Sequence, residues 1–336
     1  MFAAASNLLN SFWQGLNMDS PNSSPAQLDG AVDFVEPSAM DVLIVKAMLQ
    51  KGLKLPAEIV DSLLDHAEYW LHTTAVADFS QEYGDAVRVL GGRSTGENKF
   101  LVRTQPLGFV HHKYPDDTPV ATRIRSAAPL PLQREYSLED FQKMIASPEP
   151  MIKNPCRKIA FEITSRDQGW GGMPTDHGTY NHSWTWFDVG LERFDADAQS
   201  NDKTSDTNVT EAPGLSIDSL RPVIPELEPV DNEDPEAGLK LHHDLVPSAK
   251  MLQSNVVVDK HMRTHRITWS WTDNITNPES AEAKDLEEQG RGTLSADGEF
   301  VRNLQLGDVV TVWAKARFPG WVNHVQKVQV KVYWTI

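Results

Sequence analysis

Asp167-Gln168-Gly-Trp170-Gly-Gly172 is the stretch of this chain whose residue types and spacing could hold a ligand. Its glycines let backbone approach a ligand closely, Asp167 and Gln168 offer acceptors, and Trp170 offers a stacking face. Arg166 stands beside it. Arg193, Arg317, Trp321 and Asn323 lie next to related motifs, and together these side chains could close a polar cluster around a peptide, a glycan or an anionic group. The same residues admit a structural reading. The glycines can satisfy positive φ, Asp167 can cap a turn, Trp170 can pack over the end of a sheet, and an arginine can be buried against Asp167 or Asp188.

Other chemistries lack a full set of groups. His111-His112, His242-His243 and the pair His261 and His265 invite a metal, but zinc sites recruit three or four ligands in a recognisable pattern, so no metal is expected. Cys156 stands beside Arg157 and Lys158 without an assignable histidine partner, and a lone thiol reads as packing. Glu192 and Asp195 are paired carboxylates at a strand end, an ordinary place for them. Gly-x-Ser-x-Gly, Walker and dinucleotide-binding motifs are absent, so neither catalytic residues nor a cofactor are expected.

The 336 residues are enough to bury a full core, and the single cysteine excludes an intramolecular disulfide. A formal charge of −16 disfavours nucleic acid and anionic membrane, whose binding rests on Lys and Arg. Twelve Asp and Glu against Lys203 and Arg221 lie between Asp195 and Glu236, a pattern that reads as a solvated insertion at about 195–245. With no signal-type run after Met1 and no apolar run long enough to span a bilayer, the expected setting is cytoplasmic or nuclear. The four glycosylation sequons, at Asn22, Asn181, Asn208 and Asn274, then read as chance.

The elements that must position these residues fall into three parts. Residues 1–36, with Phe12 and Trp13 among Ser, Asn and Pro, read as a disordered leader. Residues 37–150 read as a helical hairpin, short strands and an extended Pro-containing segment. Its helices are predicted at Asp41 to Gln50 and after Pro56, the second with Ile59, Leu63, Ala67 and Trp70 as a stripe widened by Val60 and Leu64. Runs at 86–90 and 99–103, separated by Gly91-Gly92 and Gly96, read as a hairpin, and Ser137-Leu-Glu-Asp140 as a capping box opening a short helix. Residues 151–336 alternate in strand fashion at 158–163, 183–189, 266–272, 309–316 and 322–334, carrying eight of the ten tryptophans. The fold expected from these elements is mostly β with an N-terminal helical element: an antiparallel β-sandwich.

Ser165-x-Asp-Gln-Gly-Trp-Gly-Gly172, Gly178-Thr-Tyr-x-x-Ser-Trp-Thr-Trp-Phe-Asp188, Leu306-Gly-Asp-x-Val310 and Ala316-Arg-Phe-Pro-Gly-Trp-Val-Asn323 resemble a family of uncharacterised fungal proteins with a C-terminal jelly-roll or galactose-binding-like sandwich. Leu55-Pro-Ala-Glu-Ile also looks like the N-terminal helix of such proteins, and is similar to the opening helix of F-box modules, which recruit a ubiquitin-ligase adaptor. The fungal resemblance makes the expected sandwich jelly-roll-like and implies no activity. The function expected is a non-enzymatic intracellular binding or scaffold protein that takes a protein or small ligand, a glycan among them, at the Trp/Gly-rich edge. A carbohydrate-binding module and an F-box-like adaptor are the alternatives.

Overall fold

The computed structural model describes residues 37–80, 85–93, 96–109, 125–145, 152–198, 215–230 and 238–336. The expected leader with Phe12 and Trp13 lies outside the described residues, as do His111-His112, part of the Pro-containing segment, and residues 199–214 and 231–237 of the acidic stretch. Residues Pro37–Ile336 form one compact unit, and the boundary expected at 150 falls inside it.

Two antiparallel sheets face each other. In chain order the strands are β1 (Leu71–Asp78), β2 (Val87–Leu90), β3 (Asn98–Arg103), β4 (Cys156–Arg166), β5 (Thr185–Phe194), β6 (Leu220–Ile224), β7 (Leu227–Pro229), β8 (Leu239–Leu241), β9 (Gln253–Ser254), β10 (Arg263–Ser270), β11 (Val309–Ala316) and β12 (Val322–Trp334). One sheet runs β1-β12-β4-β10 with β2 also on β12; the other runs β3-β11-β5-β6 with β9 also on β5. Setting aside the short β2, β7, β8 and β9 and numbering the remaining eight by sequence, the orders are 1-8-3-6 and 2-7-4-5, which is a jelly roll.

Period-two alternation places the core. Ile159, Phe161 and Ile163 of β4 and Val328, Val330, Val332 and Trp334 of β12 point inward against Phe187 and Leu191 of β5 and Val310, Val312 and Ala314 of β11. A register shift between Val325 and Lys327 lets Val325 and Val328 both face in. Strand β11 is buried on both faces: on the outer one Val309 joins a second apolar cluster with Phe109, Phe141, Phe194, Leu220 and Leu306, Trp313 packs against Phe100 and His243, and Lys315 pairs with Asp188.

Of the helices, α1 (Ala39–Ala47) starts at a Ser38–Asp41 capping box and widens into a π turn at Met48–Gly52; α2 (Ala57–His66) follows Pro56. Helix α3 (Leu138–Ile145) has the predicted Ser137–Asp140 exchange and buries Phe141, while α4 (Ala281–Glu288) and α5 (Glu299–Asn303) lie between β10 and β11. No helix among the described residues is long and apolar enough to cross a membrane.

Three expectations change. Strands β2 and β3 do not form a hairpin: β2 joins β12 and β3 joins β11, so the chain passes from one sheet to the other at the Gly91-Gly92 turn. The inward face of α2 is Val60 and Leu64; Ile59 points to solvent, and Trp70 is buried beyond the helix end. The acidic stretch is not wholly a solvated insertion, because β6 within it pairs with β5 and Leu220 is fully buried.

Candidate binding edge

The Gly-rich loop leaves β4 at Arg166 and is anchored at once. The fully buried carboxylate of Asp167 accepts N–H bonds from Gly169 (2.8 Å), Val258 (2.6 Å) and Asp259 (3.0 Å). Burial pushes its proton affinity up and the three N–H donors oppose that. Gly169, at φ +77°, passes so close to Lys260 that a Cβ would sit 2.8 Å from its Cγ, so both conformation and space require glycine.

Gln168 ties this loop to the turn that precedes β12. Its Oε1 accepts from the Val322 N–H at 3.1 Å and its Nε2 donates to the Trp170 carbonyl at 2.7 Å. The turn carries Phe318 at φ +64°, an uncommon backbone for an aromatic residue, and Gly320 at φ +95°. A Cβ on Gly320 would lie 3.5 Å from the Trp170 ring, and one on Gly172 would lie 4.0 Å from the Trp321 ring. Phe318 meets Trp184 edge to face at 4.5 Å. On these pinned loops Trp170, Met173 and Phe318 remain 62 %, 67 % and 51 % exposed.

Beneath the edge a polar brace joins the sheets. Buried Asn323 of β12 donates to the carbonyls of Trp186 and Lys315 in the opposite sheet, both at 3.2 Å, and accepts from Asn255 Nδ2 at 2.9 Å. Asn255 in turn accepts from Ser165 at 2.7 Å and donates to Thr185 at 3.1 Å. Arg317 is buried over the Trp186 ring, donating to the carbonyls of Glu97, Ala316 and Asp244 and to Asn98 Oδ1. Burial pulls its proton affinity down.

The eight side chains expected to form a site therefore occupy four places. Gln168, Trp170 and Trp321 lie at the edge. Asp167, Asn323 and Arg317 support it from below; the polar atoms of Asp167 and Asn323 and both terminal nitrogens of Arg317 are engaged, while Arg317 Nε is buried without a partner. Arg166 flanks it, donating to the Asp167 carbonyl and lying near His324, whose proton affinity falls to about 4 through burial, Arg166 and Arg88. Arg193 is at the other end of β5, bonded to Asp308 (2.7 Å) and Glu135 (2.6 Å). Arg193 and Arg317 stand roughly 25–30 Å apart along antiparallel β5 and β11 at ~3.3 Å per residue, so the arginines do not converge. Met173, Phe318 and Trp184 complete the edge without having been singled out from sequence. The signal for Phe318 was an aromatic at the tip of an Arg-Phe-Pro-Gly turn.

No family model matches the chain, and neither a curated protein nor a solved structure does. What this edge can do is decided by its own atoms.

The remaining candidates are committed to the fold. Cys156 is buried, and burial pushes its thiol up to about 12, so it stays protonated. Glu192 pairs with Arg103, and Asp195 accepts the N–H groups of Gln133, Arg134 and Asp197. His261 is exposed while His265 is buried, and among the described residues no three His, Cys, Asp or Glu group as a metal site would require. A groove of ≈ 560 Å³ beside α2 is lined by Asp61, Asp65, Glu68, Trp70 and Trp271. There Asp65 is held by Trp70 Nε1 (2.8 Å) and Arg157 Nε (3.0 Å), Glu68 by Lys158, and Asp61 by Lys46.

Proposed function

We propose that this chain is a binding protein whose aromatic edge, built from Trp170, Met173, Phe318 and Trp321, takes an apolar segment of a partner protein. The observation that carries the reading is three large apolar side chains held out to solvent on loops fixed by Asp167 and Gln168. Exposed apolar groups gathered on rigid loops at the end of a sandwich have the form of a recognition surface. The polar groups beside them favour a protein over a glycan. Both functional ends of Gln168 and all the bonding of Asp167 in the loop are spent internally, which leaves few groups for sugar hydroxyls. The ubiquitin-ligase adaptor reading has less support, because α2 turns Val60 and Leu64 into the core.

Selection of displayed peptides on the full chain tests this. Peptides bearing an aromatic or aliphatic anchor are expected to bind, and the Trp170→Ala, Phe318→Ala double variant to bind them at least ~30-fold more weakly, the scale of losing one hot spot. Its melting temperature should fall by only a few degrees, because each ring is half or more exposed and the main packing lost is the Phe318–Trp184 contact, worth about 0.5–1.5 kcal/mol. Equal binding by wild type and variant would overturn the edge as the site. Ring-dependent binding on a glycan array, with no peptide selected, would replace this reading with a carbohydrate-binding module.

A further inference from the structure

Helix α1 has two apolar faces and the fold uses one of them. At 100° per residue, Val42, Val45 and Leu49 lie on the inner side and join the main core, with Val42 fully packed. Met40, Leu43, Ile44 and Met48, at the i, i+3, i+4, i+8 spacing of a single stripe, lie on the opposite side and are 40 to 64 % exposed. A surface helix normally turns polar residues to that side. Here the outward stripe is as apolar as the inward one.

We propose that this stripe is the contact between two copies of the chain, packed as antiparallel α1 helices about a two-fold axis near residue 46. The stripe fits itself. An antiparallel register centred there sets Ile44 against Met48, and Asp41 near the start of one helix opposite Lys51 near the end of the other, so that unlike charges meet at both rims. The area is adequate. The four side chains expose roughly 400 Å² of apolar surface per copy, and at the usual apolar fraction of an interface this corresponds to ~1,300 Å² in total, at the lower end of specific dimers. This contact is separate from the aromatic edge and does not rest on the function proposed for it.

Sedimentation of the full chain across the micromolar range tests the proposal. Wild type is expected to shift from monomer to dimer with concentration. Ile44→Glu should remain monomeric at every concentration with unchanged circular dichroism and melting temperature, and Ile44→Leu should retain the dimer. Ala47→Cys supplies a second, chemical readout, because the native thiol is buried: a short bis-maleimide should link two copies of this variant and none of wild type. A wild type that stays monomeric overturns the proposal, including one that instead floats with anionic vesicles. So does a dimer indifferent to Ile44→Glu. Trp170→Ala, Phe318→Ala should dimerise like wild type, which separates this result from that of the binding edge.

Discussion

Replacing Glu192 by alanine is expected to remove about 3–5 kcal/mol of stability, the usual cost of stranding one partner of a buried ion pair. Glu192 of β5 and Arg103 of β3 meet across β11 on the outer face of their sheet, each side chain 3 % exposed, with the closest approach at 2.9 Å. The carboxylate also accepts the Ala127 N–H at 2.7 Å, and Arg103 donates to the Arg125 carbonyl at 2.7 Å. Burial pushes the Glu192 carboxyl up while Arg103 and the Ala127 N–H hold it down. Removing the carboxylate leaves a guanidinium and an amide in an apolar layer, and both consequences are costly. The loss would take a third or more of the stability of an ordinary domain. Urea unfolding at neutral pH measures it. The double variant Glu192→Met, Arg103→Met should regain most of the loss, since apolar replacement of both partners removes the desolvation penalty with the attraction. A single variant that loses less than ~1 kcal/mol would show that the pair is not desolvated as described.

Acid is expected to destabilise the chain below about pH 6.5, with His265 carrying a definable part of the loss. His265 sits on the inward face of β10, edge-on to Tyr180 at 6.1 Å, and its buried Nε2 has no hydrogen-bond partner. Burial, then Arg263, lower its proton affinity to about 4, and Asp259 offsets this in part. The unfolded chain binds a proton at its ordinary value near 6.5, so between 6.5 and 4 the unfolded state is protonated and the folded state is not. The stabilisation is complete above pH 6.5, falls with pH, and is exhausted below about 4; it amounts to about 3 kcal/mol at most. His324 and His243, lowered to about 4 and about 3, act in the same direction. The buried carboxyls of Asp167, Glu192 and Asp308, raised by burial, act in the opposite one. The comparison that isolates the effect is therefore wild type against His265→Leu, with His265→Gln as a second variant. Both should show a flatter stability profile from pH 6.5 to 4, and an unchanged slope would exclude His265 as the titrating group.

Where sequence and structure agree, the information was local. Strands β11 and β12 begin and end where alternation and the Leu306-Gly-Asp308 turn place them, and α3 begins at its capping box. The antiparallel sandwich followed from such segments, whereas its jelly-roll strand order rests on pairings between distant strands. What was not legible depends on partners distant in sequence. Leu71–Asp78 is rich in Thr and Ala with little alternation, and it is a strand because β12 lies beside it. Pro222 disguises β6, yet it is tolerated because β6 is an edge strand. The candidate edge divided in the same way. Trp170 and the glycines around it announced an exposed loop, whereas spacing cannot reveal that antiparallel pairing sends Arg193 and Arg317 to opposite ends of the same two strands. Nor could it show that Phe318 would be turned outward by its backbone.

The order 1-8-3-6 in the first sheet also governs when the molecule can come into being. Strand β12 follows every other described strand in the chain, yet it lies between β1 and β4 and also carries β2. While the ribosome is still adding residues before Val322, the first and third of the eight long strands have no central neighbour to hydrogen-bond, and Phe161, Val89 and Leu71 lack the side chains that flank them within their own sheet. The edges of β1 and β4 that face β12 therefore stay open until Val322–Trp334 has emerged, and the aromatic edge that rests on Gln168 and Val322 is assembled in the same step.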